Sequence, residues 1–161
     1  MAAFTGTPVK SVEYTNQTAS ATKAAVDVIS KMHVARFSYT HTATEGSGTG
    51  EVNLIELPAG RITIYSDLSR IITSAFAINA DLHLGYRAYT NSAGTAVAED
   101  DNAFLDNADA GGGALDQAWT LPAGGYTSFD TRNGLIIYAM IDTGDIEATD
   151  TISGWVAYTR G

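Results

Sequence analysis

The stretch "GLIIYAMIDTGDIEATDTISGWVAYTRG", residues 134–161, decides the fold. Its halves, "GLIIYAMIDTG" (134–144) and "DTISGWVAYTRG" (150–161), are runs of β-branched, aromatic and apolar residues closed by glycine, aspartate and threonine. Such runs read as strands, and a polar connection between them reads as a turn. The connection "IDTGDIEATD", 141–150, poses a competing possibility, because Asp142-Thr143-Gly144 is the signature tripeptide of aspartic proteases. That chemistry shares one proton between two close aspartates, so the motif must occur twice or be doubled by a dimer. The sequence holds one copy, and only 17 residues follow Gly144, too few to build a flap and close a barrel. The acidic turn between two final strands is therefore the reading adopted, and the chain is expected to be no enzyme.

The same strand grammar runs backward through the chain. In "MHVARFSYTHT" (32–42), Met32, Val34, Arg36 and Ser38 share one parity while His33, Ala35, Phe37 and Tyr39 share the other, as in a half-buried strand. "TEGSGTGE" (44–51) breaks the pattern with three glycines, and with no lysine or helix start after it, it is a loop rather than a phosphate cradle. Two β-rich runs in 52–76 are punctuated by Leu57-Pro58-Ala59-Gly60, and the same letters return at Leu121-Pro122-Ala123-Gly124. They are read as one turn solution used twice, not as a sequence repeat. "ADLHLGYRAYT" (80–90) sets Leu82, Leu84, Tyr86 and Ala88 against Asp81, His83, Gly85, Arg87 and Tyr89. Residues 91–117 lack a clear period, so an exposed acidic excursion is expected there.

Many short strands with Gly, Pro and Asn turns imply an all-β fold, a jelly-roll or β-sandwich. The predicted domain spans 32–161 and is preceded by a polar, extended N-terminal arm over 1–31. Within the arm, "SATKAAVDVISKM" (20–32) spaces Ala21, Ala24, Ala25, Val28, Ile29 and Met32 for a helix face, giving a candidate short helix at 20–31. Val26, Val28 and Ile29 read as strand as well.

Composition bounds the function. Of 161 residues, 45% are hydrophobic and 17% charged, the balance of a globular domain. There is no cysteine, so disulfides and thiolate metal sites drop out and stability must come from packing and sheet pairing. A formal charge of -9 with only 9 Lys and Arg disfavours direct nucleic-acid binding, while a basic partner surface is allowed. No segment has the apolar length of a membrane span, and the first residues lack the layout of a signal peptide, so no membrane association and synthesis in a cytoplasm are expected.

The remaining candidates for chemistry each have a plainer explanation. Glu99, Asp100, Asp101, Asp106 and Asp109 could ligate calcium, but their spacing matches no EF-hand, and a solvated acidic loop is preferred; Asp145, Glu147 and Asp150 receive the same reading. His33, His41 and His83 lie on strands or their ends, with His33 and His41 in one parity, and are read as structural. Tyr86, Tyr89, Trp119, Tyr126, Trp155 and Tyr158 could stack on sugars, yet their even scatter favours core and interface packing. Accordingly no catalytic, cofactor-binding or metal residue is assigned, and no cofactor.

At Leu57-Pro58-Ala59-Gly60, Gly85-Tyr86-Arg87, the acidic stretch Asp101 to Asp106 around Phe104, and the strand pair 134–160, the chain resembles small virion structural proteins of tailed bacteriophages. The resemblance covers roughly residues 50–161. It implies a jelly-roll-like decoration, or cement, protein on the capsid exterior, non-enzymatic, often trimeric, with the major capsid protein as partner. It also implies a clamp role for an arm at 1–30. The alternative considered is a tail or fibre component recognising host glycans through its aromatic rings.

Overall fold

A computed structural model describes residues 9–10, 32–42, 50–144 and 146–161. Strands β2 (His33–Thr40), β4 (Gly60–Thr73), β10 (Tyr126–Thr131) and β12 (Thr151–Arg160) form one sheet in the order β10-β4-β12-β2, with the short β9 (Asp116–Ala118) also paired to β4. The second sheet runs β1-β3-β11-β5-β8, from β1 (Val9–Lys10), β3 (Gly50–Leu57), β11 (Leu135–Ile141), β5 (Asp81–Tyr86) and β8 (Asp100–Asp109). A small hairpin, β6 (Tyr89–Thr90) and β7 (Ala96–Val97), stands apart, with Ser92 to Ala96 exposed.

The two sheets stack through the apolar side of each strand, whose alternation is interrupted only where the register slips. Leu54, Ile55, Leu82, Leu84 and Ile137 from one sheet and Ile62, Ile64, Ile71, Val156 and Tyr158 from the other join in a single buried cluster. Among the eight longer strands, each successive one crosses to the opposite sheet, except β5 to β8, which stay together. This is the doubled Greek-key path of a jelly roll. The decisive stretch became β11, at the middle of its sheet between β3 and β5, and β12, between β4 and β2. Both strands have a hydrogen-bonded neighbour on each edge and an apolar inner face, which is why these two read so strongly in the sequence.

Two expectations are corrected. The stretch at 99–109 is no loop: Asp100–Asp109 is a ten-residue strand paired to β5. Its period is hidden by register shifts on either side of Leu84, which put the adjacent Phe104 and Leu105 both into the core. Gly85 lies at this shift, where a Cβ would stand 1.9 Å from the Asp100 carbonyl oxygen, so only glycine lets β8 approach. The two Leu-Pro-Ala-Gly segments also differ. The first is a tight β3–β4 connection, whereas the second carries a cis Leu121–Pro122 peptide and is closed by the Gly125 amide donating to the Pro122 carbonyl at 2.8 Å. Identical letters thus serve two backbones.

Val9–Lys10 lies parallel along β3, opposite Ile55 and Glu56. The candidate helix at 20–31 and most of the glycine loop at 44–51 fall outside the described residues. Among the described residues no helix is long and apolar enough to cross a membrane.

Candidate functional site

The Asp-Thr-Gly turn is a fastening. After β11, the Asp142 amide donates to the Asp81 carbonyl at 3.0 Å. The Thr143 hydroxyl donates to the Asn79 carbonyl at 2.5 Å and lies 3.1 Å from the Asp81 carboxylate. Gly144, at φ 73°, presses against the backbone of Ala80, where a Cβ would come within 2.7 Å of the amide nitrogen. Further along, Ile146 is buried, and Asp150 accepts from the Glu147 amide at 2.8 Å and from the Ser74 hydroxyl at 2.9 Å. Backbone bonds between His41 and residues 149 and 150 complete the connection, which thereby grips both sheets. Asp145 lies outside the described residues.

Asp142 faces a histidine. His83 Nδ1 stands 3.1 Å from Asp106 Oδ1, and its Nε2 stands 3.9 Å from Asp142 Oδ2. The carboxylates sit on opposite ring nitrogens, so the three side chains do not converge on one point, as metal ligation demands. Among the described residues no group of three His, Asp or Glu is placed to hold a metal ion. His33 stacks on Tyr158 at 5.2 Å, and His41 Nδ1 lies 2.8 Å from the Tyr39 hydroxyl. Both therefore have structural neighbours.

The β8 carboxylates spread along a sheet edge instead of encircling a cation. Asp100 accepts from the Asn102 amide at 3.3 Å and Asp109 from the Gly112 amide at 2.6 Å, while Asp106 meets His83. Next to them, Arg87 organises the outer face of the β3–β11–β5 sheet. Its guanidinium lies 2.7 Å from Glu51, 3.5 Å from Glu99 and 2.8 Å from the Asn53 side-chain oxygen, and it covers the Tyr138 ring at 3.8 Å. Burial, reinforced by Glu99 and opposed by Arg87, pushes the Tyr138 hydroxyl well above the usual phenol range. Burial raises Tyr86 and Tyr89 as well.

The aromatic residues divide. Tyr86, Tyr89, Phe104 and Phe129 interlock edge to face, and Trp119 packs on Phe104 at 4.9 Å. Trp119 and Tyr158 are buried, so neither can stack on a glycan. This removes Trp119 from the sugar-binding alternative. Of these rings, Tyr126 and Trp155 turn outward on the β10–β4–β12–β2 sheet, Tyr126 packing 6.4 Å from Tyr65. Trp155 Nε1 donates to the Leu68 carbonyl at 2.9 Å, and Ser69 Oγ accepts from the Ala157 amide at 2.9 Å. Together they hold the bulge where β4 slips against β12. Beside Trp155 lies an open trough of about 530 Å³ between Arg36 and Ile72, with Ser38 and Ser153 on its walls. On the same face Arg70 binds Asp116 at 2.5 Å, which lowers the Asp116 carboxyl below its usual value.

A solved structure aligns along nearly all of the chain. It is a chain of the capsid of Ralstonia phage GP4, 14% identical, with a TM-score of 0.53 over 96% of this chain and 99% of that chain. The two share a fold. A second structure, of infectious bursal disease virus Gt strain, aligns at 12% identity and a TM-score of 0.44 over 82% of this chain but 32% of that one. No family model and no curated protein matches. Sequence reasoning placed Arg36 on the correct parity but did not single it out. It also missed the Arg87–Tyr138 cluster, whose members come from β3, β11 and the residues flanking β5 and β8, and announce themselves only by an arginine next to Gly85-Tyr86.

Proposed function

We propose that this chain is a non-enzymatic phage virion structural protein that binds the assembled capsid and stabilises it as a decoration protein. The observation that carries the reading is the fold agreement with a chain of a phage capsid over 96% of this chain and 99% of that one. The site chemistry is in keeping with it, since the protease-like tripeptide is a structural fastening and the acidic stretch is a strand. In this reading the partner is the major capsid protein, the location is the capsid exterior, and the protein self-associates as a homotrimer. Residues 1–31 act as an arm, a role supported by the Val9–Lys10 pairing on the β3 edge.

A decoration protein works by mass action: a ligand that binds only the assembled shell stabilises that shell, and many symmetric copies turn modest contacts into avidity. Purified protein mixed with expanded capsids lacking it should bind saturably, at a fixed ratio to the shell protein, and raise the temperature at which the capsids open. Absence of binding overturns the proposal.

A further inference from the structure

The sandwich is chemically two-sided. The β3–β11–β5–β8 face carries Glu51, Glu56, Asp106 and Asp142, with Glu99 and Asp101 beside them, against Arg87, which follows β5; none of the four strands holds a Lys or Arg. The opposite outer face is of another kind. By register, Val34, Arg36 and Ser38 of β2 stand beside Ala157, Trp155 and Ser153 of β12, and Trp155 beside Arg70 of β4. Five large apolar side chains are exposed among the described residues, and Met32 (50%), Val34 (44%), Leu68 (47%) and Tyr126 (60%) all belong to this sheet or its direct continuation. Concentrated apolar exposure on one face of a domain marks a contact surface.

Charge then selects the partner. Asp116 is engaged by Arg70, and no carboxylate among the described residues pairs with Arg36, which stands exposed at the wall of the trough opposite Trp155. A buried contact there must supply the missing negative charge, since an unpaired guanidinium is costly to desolvate. We infer that the outer face of the β10–β4–β12–β2 sheet, organised around the Arg36–Trp155 trough, is the surface that seats on the capsid shell, and that the shell offers it a carboxylate flanked by apolar side chains. The inference rests on the capsid-binding reading above. It turns the acidic sheet toward solvent, where net charge of one sign keeps decorated particles apart.

The test is binding of wild type and four variants to expanded capsids lacking this protein, each variant first checked for an unchanged melting profile. Arg36→Gln and Leu68→Glu should each weaken binding at least about tenfold, whereas Glu56→Gln and Asp106→Asn on the opposite sheet should stay within about twofold. Arg36→Gln removes the charge but keeps a polar, unbranched side chain on an exposed position, so it remains informative if Leu68→Glu disturbs the bulge. Undiminished binding by Arg36→Gln, or loss confined to the acidic-face variants, overturns the inference while leaving the decoration reading intact. Sedimentation of the protein alone provides a separate arm: if Arg36→Gln lowers its mass in solution, the face is occupied by a second copy and the stated partner is wrong. Wild type that fails to bind capsids removes the decoration reading itself, and this inference with it.

Discussion

Tyr138 shows how one residue joins the two properties of its sheet, a sealed interior and an acidic exterior. It is 1% exposed although its parity points outward, because Arg87 lies over its ring and draws in Glu51 and Glu99. The neutral phenol is what this setting favours, so its ionisation lies above that of an unfolded tyrosine. The sign follows from proton linkage. Below about pH 10 both states hold the proton and the contribution is complete; above it the unfolded chain releases protons that the native state retains, and stability falls as pH rises. Tyr86 and Tyr89 are raised by burial and act in the same direction. Chemical denaturation of wild type should therefore show a steep loss of stability above about pH 10, and Tyr138→Phe should flatten that loss. An identical alkaline slope in the variant would mean that Tyr138 ionises freely in the folded protein.

At the scale of elements, the β11–β12 connection has its chemistry in the wrong place for catalysis and its anchors in the right place for a clasp. Asp142→Asn keeps the backbone bond to Asp81 and should change stability by no more than about 0.5 kcal/mol, the usual range for an exposed site. Ile146→Ala empties a fully enclosed position in the same connection and should cost about 2–4 kcal/mol in denaturant titration. If the order is reversed, the Asp142 carboxylate and not the buried isoleucine is what fastens the connection. The contrast also marks what the sequence made legible. β2, β3, β4, β11 and β12 were readable because their apolar runs survive along most of their length, and the parity of Arg36 was readable with β2. β8 was not, because its register slips against β5 and a two-residue period cannot survive extra residues on one strand. The Arg87–Tyr138 cluster was hidden for a different reason: Glu51, Arg87 and Tyr138 meet only once β3, β5 and β11 lie side by side, which is a matter of strand order. The two Leu-Pro-Ala-Gly segments failed as a local rule, since turn conformation there is imposed by what each segment joins.

For the whole molecule, the jelly-roll path means that most strands find their neighbours far along the chain: β2 pairs with β12, and β3 with β11. Such topologies close slowly because loop entropy is spent before the distant contacts form. Few segments among the described residues stand aside from this closure. The β6–β7 hairpin is one of them. Its tip from Ser92 to Ala96 is exposed, and it is tied down at its base by the Asn91–Thr131 bridge and the Arg132 amide on the Thr90 carbonyl. Backbone that makes no core contact and is anchored below its tip tolerates added sequence. A short epitope inserted between Ala93 and Gly94 should leave the melting temperature within a few degrees of wild type and be recognised by its antibody on the folded protein; a large fall in melting temperature would show that the tip is part of the cooperative unit. On a particle clad in many copies, that hairpin would make the chain a vehicle for multivalent antigen display.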